Sequence, residues 1–249
     1  ATPVASSLQP EESQNMNLGF IIRPDERSQI TFDYFSIAFT NGFGTEAATC
    51  PCAEIVYVTP GDPNSGIARI ETELINGDDV DISGLDFEGT VGFDAGNTVM
   101  QFSYGGTYLT QYDVAGAISG GTYDALGKFN TRSADSPINL RSVPELQLYL
   151  GLGIEIDIHS INMYVRHVGE YDVPDTITAA YQFIDKIDSM NTLDFNYSVR
   201  LADDRVRINL SAYNLLGEDP PLAPSELGYD AYSHSPVGTI IKAGLQYRF

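Results

Sequence analysis

The feature that most restricts how this chain can fold is a hydropathy period of two. Nine segments carry it, near residues 14–23, 28–39, 79–93, 98–113, 145–155, 158–170, 191–201, 205–214 and 238–249. Leu193, Phe195, Tyr197, Val199 and Leu201 alternate with Asp194, Asn196, Ser198 and Arg200. Val206, Ile208, Leu210 and Ala212 alternate in the same way with Arg205, Arg207, Asn209 and Ser211. At the C-terminus, Ile241, Ala243, Leu245, Tyr247 and Phe249 alternate with Lys242, Gly244, Gln246 and Arg248. Successive side chains of a strand point to opposite faces, so each segment reads as a strand with one apolar and one polar face. Helical periodicity is scarce.

The connections alternate as well. Short ones are Pro24 to Arg27, Asp94 to Asn97, the break near Ile156 and Asp157, and Ala202 to Asp204; long ones are about 40–78, 114–144, 171–190 and 215–237. A soluble sandwich has no reason to alternate so regularly. A barrel in a bacterial outer membrane does, because its periplasmic turns are short and its extracellular loops long. The expected fold is therefore all-β, an antiparallel transmembrane β-barrel with the apolar face on lipid and the polar face inward. No stretch approaches the roughly 18 apolar residues of a membrane-spanning helix, but barrel strands need only about 9–11 residues each. Nine strands is an odd number, and an open sheet in lipid leaves two unpaired edges. The expectation is that residues 1–249 are the C-terminal part of one larger barrel domain, with the four long connections extracellular.

Composition narrows the chemistry. Asp and Glu number 34 against 13 Lys and Arg, a net charge of −21. Nucleic acid is disfavoured, since phosphate binding needs clustered basic residues. With 43% hydrophobic residues the chain is not disordered. The first residues lack the charged start and apolar run of a signal peptide, so the chain reads as a mature form, a processed piece or a fragment. Cys50 and Cys52 flank Pro51 in a Gly- and Pro-rich segment. A loop disulfide, within this pair or to another chain, is the expectation; free thiols or a metal are the alternatives.

The sequence offers no catalytic residue, metal site or cofactor site. The nucleophile-elbow, zincin and phosphate-loop motifs are absent, and the three histidines lie far apart. Asp62, Asn64, Asp78 and Asp79 are oxygen donors of the kind calcium prefers, but no complete calcium loop is present and a solvated acidic surface is the plainer reading. The polar face is the expected working surface. Asp194, Asn196, Arg200, Arg205, Arg207, Asn209, Lys242 and Arg248 should point inward, either to contact a ligand or an inner domain or simply to solvate the lumen. In the long connections, Tyr171, Tyr229, Tyr232 and His234 are candidate ligand contacts, with anchoring of the loops as the bland alternative.

Several segments, taken in order, resemble the C-terminal barrel region of TonB-dependent outer-membrane receptors. They are Leu8 to Ser13 with Asn17 to Phe20 and Arg23-Pro24, then Gln29 to Phe35, then Asp81 to Asp86. Leu210 to Leu216 with Asp219 to Pro221, and His234 to Gly238 leading into Gly244 to Phe249, complete the set. The resemblance implies a barrel of about 22 strands. This chain matches only about the last nine. It also implies an N-terminal plug and missing strands on another chain or in a parent chain. Further implied are the TonB complex reached through that plug, the barrel-assembly machinery reading a C-terminal signal at Tyr247 and Phe249, and contact with lipopolysaccharide and outer-membrane lipid. The implied function is active uptake of a scarce nutrient, with an iron–siderophore complex as the default ligand. Set against it are a passive porin-like channel, a structural barrel subunit of a surface assembly, and a soluble acidic sandwich.

Overall fold

The structure is a computed structural model that describes residues 8–45, 54–71, 74–115, 122–129, 141–174 and 184–249. The strands in chain order are β1 (Glu12–Asp25), β2 (Ser28–Thr40), β3 (Phe43–Thr45), β4 (Glu54–Tyr57), β5 (Ile67–Glu71), β6 (Leu74–Asn76), β7 (Asp79–Ala95) and β8 (Thr98–Ala115). They continue with β9 (Thr122–Asp124), β10 (Leu146–Ile156), β11 (His159–Val168), β12 (Tyr171–Asp172), β13 (Lys186–Ile187), β14 (Met190–Leu201), β15 (Val206–Tyr213) and β16 (Ile240–Tyr247). All nine segments expected from periodicity form strands, and they pair in the order β1-β2-β7-β8-β10-β11-β14-β15-β16, every pair antiparallel. β9 adds a short tenth strand beside β8. No described helix is long and apolar enough to cross a membrane.

Register turns nine separate alternations into two continuous surfaces. Val91, Phe102, Leu152, Met163, Phe195, Ala212 and Ile241 are successive cross-strand partners and make one apolar row. One residue along, Gly92, Gln101, Gly153, Asn162, Asn196, Ser211 and Lys242 are also successive partners, on the opposite face. A slip of one residue anywhere would mix the two rows, so the chemistry of the faces specifies the register. The apolar side chains are not a closed core: Leu18, Phe20, Leu150, Leu210, Ile241 and Leu245 remain substantially exposed. The sheet is open at β1 and β16, which leaves their outer backbone groups available for pairing.

Because neighbours in the sheet are consecutive wall strands, the short turns lie at one end and the long connections at the other. The turn between β14 and β15 runs left-handed through Ala202, Asp203 and Asp204. At the long end, β7 and β8 run on past the end of β10, with a bulge that sets Ser83 against Thr110, hydroxyl to hydroxyl at 3.0 Å. The long connections carry small strand pairs that the periodicity did not reveal: β3 with β6, β4 with β5, and β12 with β13. Runs of two to five residues are too short for an alternation to stand out.

A buried apolar cluster sits among these connections, and of the wall strands only the long-end residues Val114 of β8 and Met190 of β14 are buried hydrophobics among the described residues. Phe129, Tyr171, Val173, Ile187 and Ala223 pack together with Ile184 against them. They come from three different long connections. Backbone bonds reinforce the union: Phe129 N–H donates to the Asp172 carbonyl at 2.7 Å, and Asp172 N–H to the Gly127 carbonyl at 2.8 Å.

Candidate functional site on the polar face

At the long end of the polar face, strand pairing places Tyr149 opposite Arg166, Arg166 opposite Thr192, and Tyr164 opposite Asp194. Arg166 pairs diagonally with the Asp194 carboxylate. That carboxylate is almost completely buried, whereas Arg166 is 56% exposed. Asp194 also accepts the Asn214 backbone N–H at 3.0 Å. Asn214, left-handed at φ 47°, then clamps the connection that follows. Its side chain accepts from Glu218 N–H at 2.9 Å and donates to the Glu218 carbonyl at 2.8 Å, while Thr239 Oγ1 donates to its carbonyl at 2.7 Å. One acid thus links β11, β14, the end of β15 and the approach to β16.

Two clefts open on this face and share Arg166 and Val168. The first, about 570 Å³, lies over β2, β7, β8 and β10 and is lined by Asp33, Asp86, Glu88, Thr107 and Tyr149. The second, about 530 Å³, is lined by Asp194, Tyr213, Ser233, His234 and Lys242 among others. Volumes of this size suit a small-molecule ligand. Tyrosines lie low between them because glycines leave room. A Cβ on Gly105 would come within 2.7 Å of the Tyr149 ring, and one on Gly151 within 2.9 Å of the Tyr164 ring.

The second cleft is roofed by a buried polar network. The Tyr171 hydroxyl donates to Asp230 Oδ2 at 2.8 Å and lies 3.0 Å from His234 Nε2. With its one proton given to Asp230, the hydroxyl accepts from His234 Nε2–H, which leaves Nδ1 the bare acceptor. That Nδ1 is buried and meets no partner among the described residues. Burial pushes the Tyr171 hydroxyl far above its ordinary pKa, reinforced by its hydrogen bond to Asp230 and the charge there. Burial pulls His234 below its ordinary value, against the opposing pull of the Asp230 charge. The imidazole is therefore neutral near pH 7.

The residues singled out in the sequence fall as follows. Asp194, Asn196, Arg200, Arg207, Asn209 and Lys242 share the polar face by register, and Arg205 and Arg248 continue it at the short-turn end. Among the four loop candidates, Tyr171 is 2% exposed and packs in the loop core, so its ring is not offered to a ligand. His234 is buried yet lines the second cleft, and Tyr229 is half-buried. Tyr232 is 71% exposed, with the Arg141 guanidinium 5.3 Å above its ring. Tyr247 and Phe249 meet edge-to-face at the chain end. Cys50 and Cys52 lie outside the described residues. Asp62 accepts from Asn64 N–H, and Asp79 from Asn41 N–H, so these two acids cap separate backbone turns. Among the described residues no three His, Cys, Asp or Glu side chains converge as a metal site. Sequence reasoning missed Arg166 and Tyr149 as site residues, although both occupy polar-phase positions in their strands. Asn214 falls within the Leu210 to Leu216 stretch that resembles the family, but its clamp leaves no mark in the sequence.

The model of the family described as TonB dependent receptor-like, beta-barrel, matches residues 1–215. The chain belongs to this family. Members of the TonB-dependent receptor family are outer-membrane proteins, and they are transporters and receptors, not enzymes. Among solved structures, the FrpB iron transporter of Neisseria meningitidis superposes on 100% of this chain and 33% of its own, with a TM-score of 0.61 at 12% identity. The siderophore receptor PirA of Acinetobacter baumannii covers 97% of this chain and 32% of its own, TM-score 0.60, 16% identity. The ferric enterobactin receptor PfeA of Pseudomonas aeruginosa covers 96% and 31%, TM-score 0.63, 16% identity. At such identities these likenesses speak for the fold, and this TonB-dependent barrel chain spans about a third of the length of each. No curated protein sequence matches it.

Proposed function

We propose that this chain forms nine consecutive wall strands of a TonB-dependent receptor integral to the bacterial outer membrane. Its long connections face outward, and its polar face looks onto a plug supplied by the rest of the receptor. The activity is energised uptake of a scarce nutrient, with a ferric siderophore as the leading class. The observation that carries this reading is the register. One unbroken apolar face and one unbroken polar face run across nine strands, and both sheet edges are open to further strands. An apolar face suits lipid, and unpaired backbone in lipid demands closure by more strands. Support for a ligand with anionic groups comes from Lys242 beside the second cleft, since Arg166 there is already paired with Asp194.

The test is purification of the native outer-membrane complex in detergent, intact and denatured mass spectrometry, and uptake of radioactive iron supplied as defined chelates. A plug-bearing polypeptide together with this chain, and uptake abolished when the proton gradient is collapsed, are expected. A lone chain of 27.1 kDa that folds, closes and passes solutes without energy would overturn the reading in favour of a porin-like channel.

A further inference from the structure

The opposite end of the polar face has a different chemistry. Arg200 and Arg207 are direct cross-strand partners, Arg207 faces Gln246 on β16, and Arg248 N–H donates to the Arg205 carbonyl at 2.9 Å. The turn therefore gathers four guanidinium groups and a single carboxylate, that of Asp204, around a cleft of about 100 Å³, in a chain whose net charge is −21. Like charges set directly opposite each other destabilise a strand pair unless anions intervene. The local supply of anions is thin. Arg200 lies 3.7 Å from the largely exposed Asp204, a pair of the kind worth little in water. Arg200 and Arg205 otherwise donate to the carbonyls of Asp157 and Ala202. Among the described residues, Arg207 and Arg248 meet no carboxylate.

The cleft is too small for a chelated nutrient, which takes a pocket of about 300 Å³ or more. It accommodates side-chain carboxylates, and guanidinium forks grip these two oxygens at a time. These arginines lie on the face turned away from the apolar rows, which points them at whatever fills the barrel and not at the lipid. We propose that Arg200, Arg205, Arg207 and Arg248 dock an acidic segment of the plug, two or more Asp or Glu residues close together, against the short-turn end of β14, β15 and β16. This inference rests on the receptor reading above.

The experiment places a photo-crosslinking amino acid at Gln246, which lines the cleft, in the complete receptor assembled in outer membranes. Cross-linked peptides are then mapped by mass spectrometry. The expected product joins β16 to a plug peptide containing at least two nearby acids. Arg207→Glu should cut its yield about tenfold, and Arg207→Lys, which keeps the charge but loses the two-pronged grip, should cut it about two- to threefold. Converting the captured acids to Lys with the four arginines intact should cut the yield at least as far as Arg207→Glu does, because like charges would then face each other across the cleft. Resistance to trypsin and heat-dependent gel mobility report that each variant has folded. Should Arg207→Glu fail to fold, the identity of the wild-type cross-linked peptide decides. Capture of a plug peptide without acids, capture of lipid or lipopolysaccharide alone, or a yield indifferent to charge reversal would overturn the docking proposal while leaving the receptor reading intact. Absence of any plug-bearing polypeptide from the complex would bring down both.

Discussion

His234 stacks on Tyr171 with an interplanar angle of 9° and ring centroids 5.9 Å apart, while its Nε2 reaches the Tyr171 hydroxyl at 3.0 Å. One pair of side chains from two connections, 63 residues apart, thereby joins the loop core to the wall of the second cleft. Asp230, 2% exposed, accepts the Tyr171 proton and also the Tyr232 N–H at 3.0 Å.

Tyr171→Phe keeps the ring and its packing but strips Asp230 and His234 of a partner. The expected cost is about 1–3 kcal/mol, the penalty of leaving buried polar groups unmet. It should appear as faster protease cleavage within 169–189 and 214–239, with the wall still folded. Unchanged cleavage kinetics would contradict the role assigned to this hydroxyl.

The same network makes the loop core acid-sensitive. His234 binds a proton less readily folded than unfolded, because burial depresses its pKa from the ordinary 6.5. Below about pH 6.5 the unfolded state therefore holds more protons, and stability falls as pH falls. Protonation would also put a donor on Nδ1 where no acceptor waits. Hydrogen exchange of residues 171–174 and 230–237 should accelerate between pH 7 and pH 5. In His234→Gln, which does not titrate, the change across that range should shrink.

Asp194 and Arg166 are not equal partners. Asp194→Ala removes the acceptor of a buried backbone N–H as well as an ion pair, and should cost about 2–3 kcal/mol. Arg166→Ala leaves the nearly buried carboxylate without its counter-charge but with its Asn214 bond, and should cost less than Asp194→Ala, about 1–2 kcal/mol, because the half-exposed arginine side admits water to the acid. Urea titrations followed by circular dichroism should show this asymmetry. Equal losses would mean that the ion pair, not the clamp through Asn214, holds the corner.

The two faces should differ in their tolerance of charge. Leu152 faces Phe102 and Met163 on the apolar side, and Asn196 faces Asn162 and Ser211 on the polar side. Leu152→Arg should cost about 2–4 kcal/mol in a bilayer, whereas Asn196→Arg should be nearly neutral. Folding into vesicles of phosphatidylcholine measures both. The reverse ranking would place lipid on the polar face.

Glycines in the wall are not interchangeable. A Cβ on Gly106 would sit 2.5 Å from the Gln147 carbonyl oxygen, but one on Gly244 meets nothing nearer than 3.8 Å. Gly106→Ala should destabilise by about 1–3 kcal/mol through overpacking against backbone, with lower folded yield in the membrane. Gly244→Ala should be silent in the same assay.

Much of the wall was legible in the chain because a strand writes its two faces into alternate residues. Leu193 to Leu201 and Val206 to Ala212 announce their faces without reference to anything else. The long connections wrote no such pattern. Tyr171 reads as an exposed loop aromatic, and its burial follows only from Phe129, Val173, Ile187 and Ala223 arriving around it from three segments. Asn214 was visible as part of a motif, but its clamp needs Glu218, Val237 and Thr239 brought back by the connection.

By itself, then, the sequence determined the all-β class, the nine wall strands, the apolar and polar phase of each, and the alternation of short and long connections. These are local properties, set by a period of two and by turn residues between runs. Tertiary structure alone decided which polar positions share a cleft, that Arg166 rather than a nearer base takes Asp194, that Arg200 and Arg207 face each other, and that Tyr171 and His234 lock together. Those pairings depend on register and on loop return across dozens of residues, and no local pattern encodes a distance between strands.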